Sequence, residues 1–135
     1  MRDLAPFLMF CGEQHWRAGE AIAFYCSTFP DSRIVQIDRY GPEEAEPERT
    51  VRVATFELGG KRLMAIDSAA PHEFTFTPAI SIWIERSSAD EIERLSSALL
   101  DGGSALMPLG DYGFSRQSCW VADRYGVTWQ LNLAS

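Results

Sequence analysis

Histidine, cysteine, excess positive charge and long apolar runs are all scarce in this chain, and each scarcity removes a class of function. Only two histidines, His15 and His72, occur among 135 residues. A divalent-metal centre needs several imidazole or carboxylate donors converging on one point, so no metal site and no cofactor are expected. The three cysteines, Cys11, Cys26 and Cys119, are odd in number and lack Cys-x-x-Cys spacing, which speaks against a disulfide framework and against a zinc knuckle. Lys and Arg number 12 against 19 Asp and Glu, a formal charge of -7. The basic residues stand singly, so there is no cationic footprint for nucleic acid or an anionic membrane surface. No apolar run approaches the roughly 20 residues of a membrane span. Met1-Arg2-Asp3-Leu4 leads into a strand-like segment rather than a signal peptide, and a cytoplasmic location is expected.

What is present is core material. A chain that is 46% hydrophobic and 12% aromatic can bury one good core, and residues 1–135 are read as a single domain. Phe7-Leu8-Met9-Phe10 is a short apolar strand. Arg17 to Phe29 carries Ala18, Ile22, Tyr25 or Cys26, and Phe29 at helical spacing until Pro30 stops it. Ser32 to Tyr40 alternates as a strand, and the Pro/Glu-rich stretch Gly41 to Arg49 is expected to be a mobile loop. Thr50 to Leu58 and Lys61 to Asp67 form a hairpin across Gly59-Gly60.

The same order of elements then returns. Ala79 to Ile84 reads as a strand with its isoleucines on one face and Ala79, Ser81 and Trp83 on the other. Ser88-Ala89-Asp90-Glu91 fits a capping box for a helix whose stripe is Ile92, Leu95 and Leu99, ended by Gly102-Gly103. Ala105 to Leu109 is a further strand. Phe114 to Ala122 and Val127 to Leu133 make a hairpin around Asp123-Arg124-Tyr125-Gly126, whose glycine supplies φ > 0. In its last strand Trp129, Leu131 and Leu133 face one way, and Thr128, Gln130 and Asn132 the other. The fold class is therefore α+β, with two β-α-β-β-β modules at about residues 5–70 and 77–134. Neither module can bury its helix and its whole sheet alone, so the two are expected to pack into one body.

Several stretches in this order resemble the PhnB-like branch of the vicinal oxygen chelate superfamily, which also holds glyoxalase I, bleomycin-resistance proteins and extradiol dioxygenases. Many members of the branch carry the name 3-demethylubiquinone-9 3-methyltransferase domain. The resemblance rests on Pro6 to Phe10, Glu20 to Ser32, Phe56-Glu57-Leu58-Gly59-Gly60 with Met64-Ala65, Phe74 to Ser81, Trp120, Asp123 to Val127, and Trp129-Gln130. The loop Gly12 to Arg17, with His15 and Trp16, is longer than in many relatives. The resemblance implies a curved mixed sheet around a cleft, usually in a homodimer, with metal ligands in some relatives on the first and last strands of each module. Those positions fall here on Pro6 or a neighbour, Met64 or Ala65, Ala79 and Gln130, none of them a strong ligand.

Strand parity assigns the cleft lining instead. Leu8, Phe10, Ser81, Trp83, Thr128, Gln130 and Asn132 are expected on the faces away from the helices. Apolar and aromatic walls with a few amides and hydroxyls suit a small, partly apolar organic molecule. The bland alternative is that Trp83 and Phe10 only fill the interior and that the polar groups hydrogen-bond each other or water. Asp67, His72 and Glu73 lie near one another in sequence and form either a weak metal or acid–base cluster or a solvated loop, the simpler account. Cys119 has no histidine near it in sequence to make it a nucleophile. Asp123 and Arg124 are explained by their turn, and Tyr25 by its helix. A glycine-rich strand-to-helix turn for a nucleotide-type cofactor such as S-adenosylmethionine is not found, since Gly59-Gly60 and Gly102-Gly103 lie elsewhere. Two functions remain: a binding protein that uses the cleft without a metal, and a metal-assisted lyase, isomerase or dioxygenase.

Overall fold

A computed structural model describes residues 1–134 and divides into two compact units, Met1–Thr75 and the chain from Phe76 onwards. The first unit contains β1 (Phe7–Phe10), a 3-10 turn (Gly12–Gln14), α1 (Ala18–Thr28), β2 (Arg33–Arg39), β3 (Val51–Leu58) and β4 (Lys61–Asp67). Its sheet runs β1-β4-β3-β2, with β1 parallel to β4 and the other pairs antiparallel. The second unit contains β5 (Ile82–Arg86), α2 (Ala89–Leu100), β6 (Ser104–Gly110), β7 (Ser118–Ala122) and β8 (Thr128–Leu133). Its sheet runs β5-β8-β7-β6, again with one parallel pair, β5 with β8. The two orders are identical when the strand numbers are shifted by four, so the β-α-β-β-β repetition holds at the level of topology.

In the first unit, α1 buries Ala18, Ala21, Ile22 and Tyr25, the i, i+3, i+4, i+7 stripe of an amphipathic helix. Tyr25 stacks on Phe56 of β3, ring centroids 6.3 Å apart. The helix ends at Phe29, whose extended backbone is what a following proline imposes. Its other end has no side-chain cap of its own. Asp67, the last residue of β4, fills that role from across the unit, its Oδ1 accepting the Ala18 N–H (3.1 Å) and its Oδ2 the Val51 N–H (2.9 Å). A carboxylate at a helix N-terminus also meets the positive end of the helix dipole.

The loop from Gly41 to Arg49 is tied down rather than loose. Glu44 accepts the Gly41 N–H and pairs with Arg52, while Glu46 accepts the Ala69 N–H at 2.6 Å. Two of its glutamates, Glu44 and Glu46, are the anchors that hold it.

The second unit departs from the sequence reading at three places, each for a local reason. The strand expected from Ala79 begins at Ile82, because the Thr77 hydroxyl accepts the Ala79 N–H (3.3 Å) and holds a turn beside Pro78, a short-range bond that competes with strand pairing. Phe114 to Gln117 is loop, not strand: Asp111 accepts the Gly113 N–H, and the Ser115 hydroxyl donates to the carbonyls of Gln117 and Leu133. The capping box is half formed. Ser88 accepts the Glu91 N–H at 3.3 Å, but the Glu91 carboxylate turns to the Arg86 guanidinium instead of reaching back. The core of this unit lies between α2 (Ile92, Leu95, Leu99) and the face of the sheet carrying Cys119, Val121, Trp129 and Leu131, all essentially without solvent exposure.

Candidate functional site

The sheet face of the second unit turned away from α2 follows from register. Parallel pairing sets Trp83 beside Gln130 and Glu85 beside Asn132, and antiparallel pairing sets Trp120 beside Gln130, Ser118 beside Asn132 and Ala122 beside Thr128. Paired residues point to the same side of a sheet. Gln130 therefore sits in a row between two tryptophans, Trp83 on β5 and Trp120 on β7. Trp83 is 49% exposed in the single chain.

The polar groups of this face divide into committed and free. Thr128 donates its hydroxyl proton to the Ile80 carbonyl (2.7 Å), so the 2.9 Å contact with Ser81 must have Ser81 as donor. Ser81 in turn accepts the Trp120 indole N–H at 3.0 Å. The chain Trp120 to Ser81 to Thr128 to Ile80 uses every proton it has and fixes the Trp120 ring. Trp83 is fixed the other way, its indole N–H reaching Glu85 Oε1 at 3.0 Å. By contrast the side-chain amides of Gln130 and Asn132 make no hydrogen bond among the described residues, and Asn132 Oδ1 is shut off from water without a donor.

Asn132 and Glu85 continue into a cavity of about 590 Å³ at the end of the face, lined also by Asp111, Phe114, Ser115 and Arg116. Of the residues expected to line a site, Ser81, Trp83, Thr128, Gln130 and Asn132 share this one face. Glu85, Trp120 and the cavity loop were missed. The period of two in Ser118-Cys119-Trp120-Val121-Ala122 carried the signal for Trp120, and the true start of β5 the signal for Glu85.

Leu8 and Phe10 do not lie on a corresponding open face. In the first unit β1 pairs Leu8 with Ala65 and Phe10 with Asp67, and Asp67 is directed at the N-terminus of α1. Both residues therefore face the helix, and Phe10 has no exposure at all. The open side of β1 belongs to Phe7 and Met9.

The remaining candidates separate. Asp67 is 4% exposed and consumed by the two backbone amides, whereas His72 Nε2 lies 3.1 Å from the Ser68 hydroxyl and Glu73 is exposed. Cys119 is buried with its thiol 3.7 Å from the Ser96 hydroxyl; burial pushes the thiol pKa up, against smaller opposing effects from Ser96 and the Leu131 backbone. A reactive cysteine needs the opposite shift. Asp123 is a turn anchor, accepting the N–H groups of Tyr125, Val127 and the Trp129 indole, while Arg124 reaches Asp101 at 3.3 Å.

A metal of the superfamily's kind finds no fitting donors at the corresponding positions. Pro6 precedes β1 and gives its carbonyl to the Met64 N–H, Met64 and Ala65 lie on β4, Ala79 lies in the turn before β5, and Gln130 is an amide. Among the described residues no group of three His, Cys, Asp or Glu is placed to hold an ion.

Comparison with known proteins adds a family to this geometry. The model of the family described as 3-demethylubiquinone-9 3-methyltransferase matches residues 2–132. The PhnB protein of Bacillus cereus is 44% identical over 98% of this chain and 100% of its own, with a TM-score of 0.93. A protein from Pseudomonas aeruginosa is 27% identical over 98% of each chain, with a TM-score of 0.82. The fosfomycin resistance protein FosX of Listeria monocytogenes, solved with Mn(II) and a dihydroxypropylphosphonic acid, is 12% identical over 100% of this chain and 94% of its own, with a TM-score of 0.67, a likeness of fold. No curated protein matches. The two four-stranded mixed sheets, each with its helix, are those of the glyoxalase, or vicinal oxygen chelate, fold.

Proposed function

Since the chain belongs to the 3-demethylubiquinone-9 3-methyltransferase family of PhnB-like, vicinal oxygen chelate proteins, we propose that it binds a small, partly apolar organic molecule on the open sheet face of the second unit, without the metal that some superfamily members use. The observation that carries this reading is the row Trp83, Gln130, Trp120. Two indoles held in place by Glu85 and Ser81 flank an amide that has no hydrogen-bond partner among the described residues. Pre-fixed aromatic walls lose little entropy on binding, and the amide supplies both a donor and an acceptor for orientation.

The absence of a metal in this reading rests on donor chemistry. Proline, methionine, alanine and glutamine at the corresponding positions do not make a hard or borderline divalent ion's ligand set. Methyl transfer has no part in it either, because the glycine pairs form a hairpin turn and a helix exit, not a phosphate- or nucleotide-binding turn. A homodimer is part of the proposal, supported by the family and by exposed apolar residues such as Leu4, Phe7, Ile80 and Phe114; a light-scattering mass equal to one chain would remove that part.

A thermal-shift screen of small aromatic molecules against the protein and Gln130→Leu tests the site. Binders are expected to raise the melting temperature of the unaltered protein and to lose most of that effect in the variant. Equal shifts in both would place binding elsewhere.

A further inference from the structure

Hydrogen-bond accounting on the open face narrows the class of ligand, an inference that rests on the binding proposed there. The Trp120 indole crosses β8 to give its N–H to Ser81, whose own proton goes to Thr128, whose proton goes in turn to the Ile80 carbonyl. The Trp83 indole N–H goes to Glu85. Both indoles therefore offer a ligand their ring surfaces and no donor. Gln130, in the row between them, is the contrast. Its amide forms no hydrogen bond among the described residues, and its atoms, unlike Asn132 Oδ1, are not shut off from water. Among the described residues that register places on this face, Glu85 is the one formal charge, and no cation accompanies it.

A flat ring laid against the indoles covers the Gln130 amide, and a covered amide needs partners for both its N–H and its C=O. A ligand with acceptors alone leaves Gln130 Oε1 unpaired. One with donors alone, as in most organic cations, leaves the N–H groups unpaired. A carboxylate adds repulsion from Glu85 with no cation to offset it. What matches is an N–H beside a C=O on one edge of an uncharged ring. A glutamine side chain reads an adjacent donor and acceptor through two parallel bonds, as it does on the edge of adenine, and stacking on the indoles accounts for the apolar part.

We propose that Gln130 is the specificity-determining residue of this face, and that it selects an uncharged planar ring with a lactam-type edge, whose N–H donates to Gln130 Oε1 and whose carbonyl accepts from Gln130 Nε2. Trp83 and Trp120 hold the ring without reading its edge.

The test compares 2-quinolone, which has that edge, with 1-methyl-2-quinolone and 2-methoxyquinoline, in which a methyl group removes the N–H, and with 2-naphthoate as the anion. Each is titrated into the full chain and followed through the indole NMR signals of Trp83 and Trp120 and the side-chain amide signals of Gln130. 2-Quinolone is expected to bind roughly tenfold more tightly than either methylated form, the discrimination of a two-bond contact, and 2-naphthoate to bind weakest. Gln130→Met, which keeps the side-chain length without the amide, should bring 2-quinolone down to the level of the methylated forms. A preference for 2-quinolone that survives in Gln130→Met would be steric and overturns the inference. Should that variant fold poorly, the unaltered protein decides: a methylated form or 2-naphthoate bound as tightly as 2-quinolone overturns it equally. If the three neutral rings bind alike and shift the Trp83 and Trp120 signals, the edge selection fails and the binding face stands. If none shifts those signals, both fail.

Discussion

Two buried aspartates carry much of the local order at the residue scale, and each does so by accepting backbone N–H groups that otherwise lack partners. Asp67 joins the start of α1 to the start of β3, with one carboxylate oxygen for each amide. Asparagine keeps the shape but offers a single oxygen acceptor. Asp67→Asn should therefore lower unfolding free energy by about 1–3 kcal/mol, the range for a buried donor left unpaired; urea denaturation measures it, and an unchanged midpoint would mean that water replaces the bond. In Asp123 the same chemistry closes the β7–β8 turn, with Gly126 at φ 91°. The turn was legible from Asp-Arg-Tyr-Gly alone. The partner of Asp67 was not, because an acid at the end of a strand looks the same in sequence whether it faces water or a helix 49 residues away. The facing of Leu8 and Phe10 was hidden for a related reason: four consecutive apolar residues have no alternation to read, and only pairing with β4 sets their side.

Elements were the most legible scale, and their ends the least. The helical stripes of α1 and α2, the Gly59-Gly60 hairpin and the final β7–β8 hairpin follow from periods of 3.6 and 2 with turn residues at their borders. Starts shifted where a side chain competed with the backbone, as Thr77 does before β5 and Ser115 does before β7. The capping box held on one side only, because Arg86 offers Glu91 a charged partner stronger than a backbone amide. Two substitutions separate these contributions in α2. Ser88→Ala should cost about 1 kcal/mol, the usual worth of an N-cap. Gly103→Ala should cost more, about 2 kcal/mol or above, because its Cβ would lie 2.1 Å from the Ala122 carbonyl oxygen and neither backbone can yield without disturbing β7. Thermal melts of the two variants check the order, and a milder effect for Gly103→Ala would show that the turn after α2 can shift.

At the scale of the whole molecule, repetition is the organising fact. Two units with the same strand order differ in what their open faces carry, and among the described residues the second assembles indoles, two amides without side-chain partners and a carboxylate. Five residues of that face were legible from the parity of β8 and of the stretch Ala79 to Ile84 that leads into β5. The cavity loop was not, since Asp111 to Gln117 has no period and is shaped by its own side-chain bonds. The same fold holds Mn(II) in a fosfomycin resistance protein, whereas the binding proposed for this chain needs no metal. The most direct measurement is calorimetric titration of a binder from the screen into the protein before and after exhaustive chelation and dialysis. Equal affinity in both samples, weakened roughly tenfold in Gln130→Leu, is the predicted result. Affinity abolished by chelation and restored by Mn(II) would contradict it and move the account to a metal-assisted enzyme.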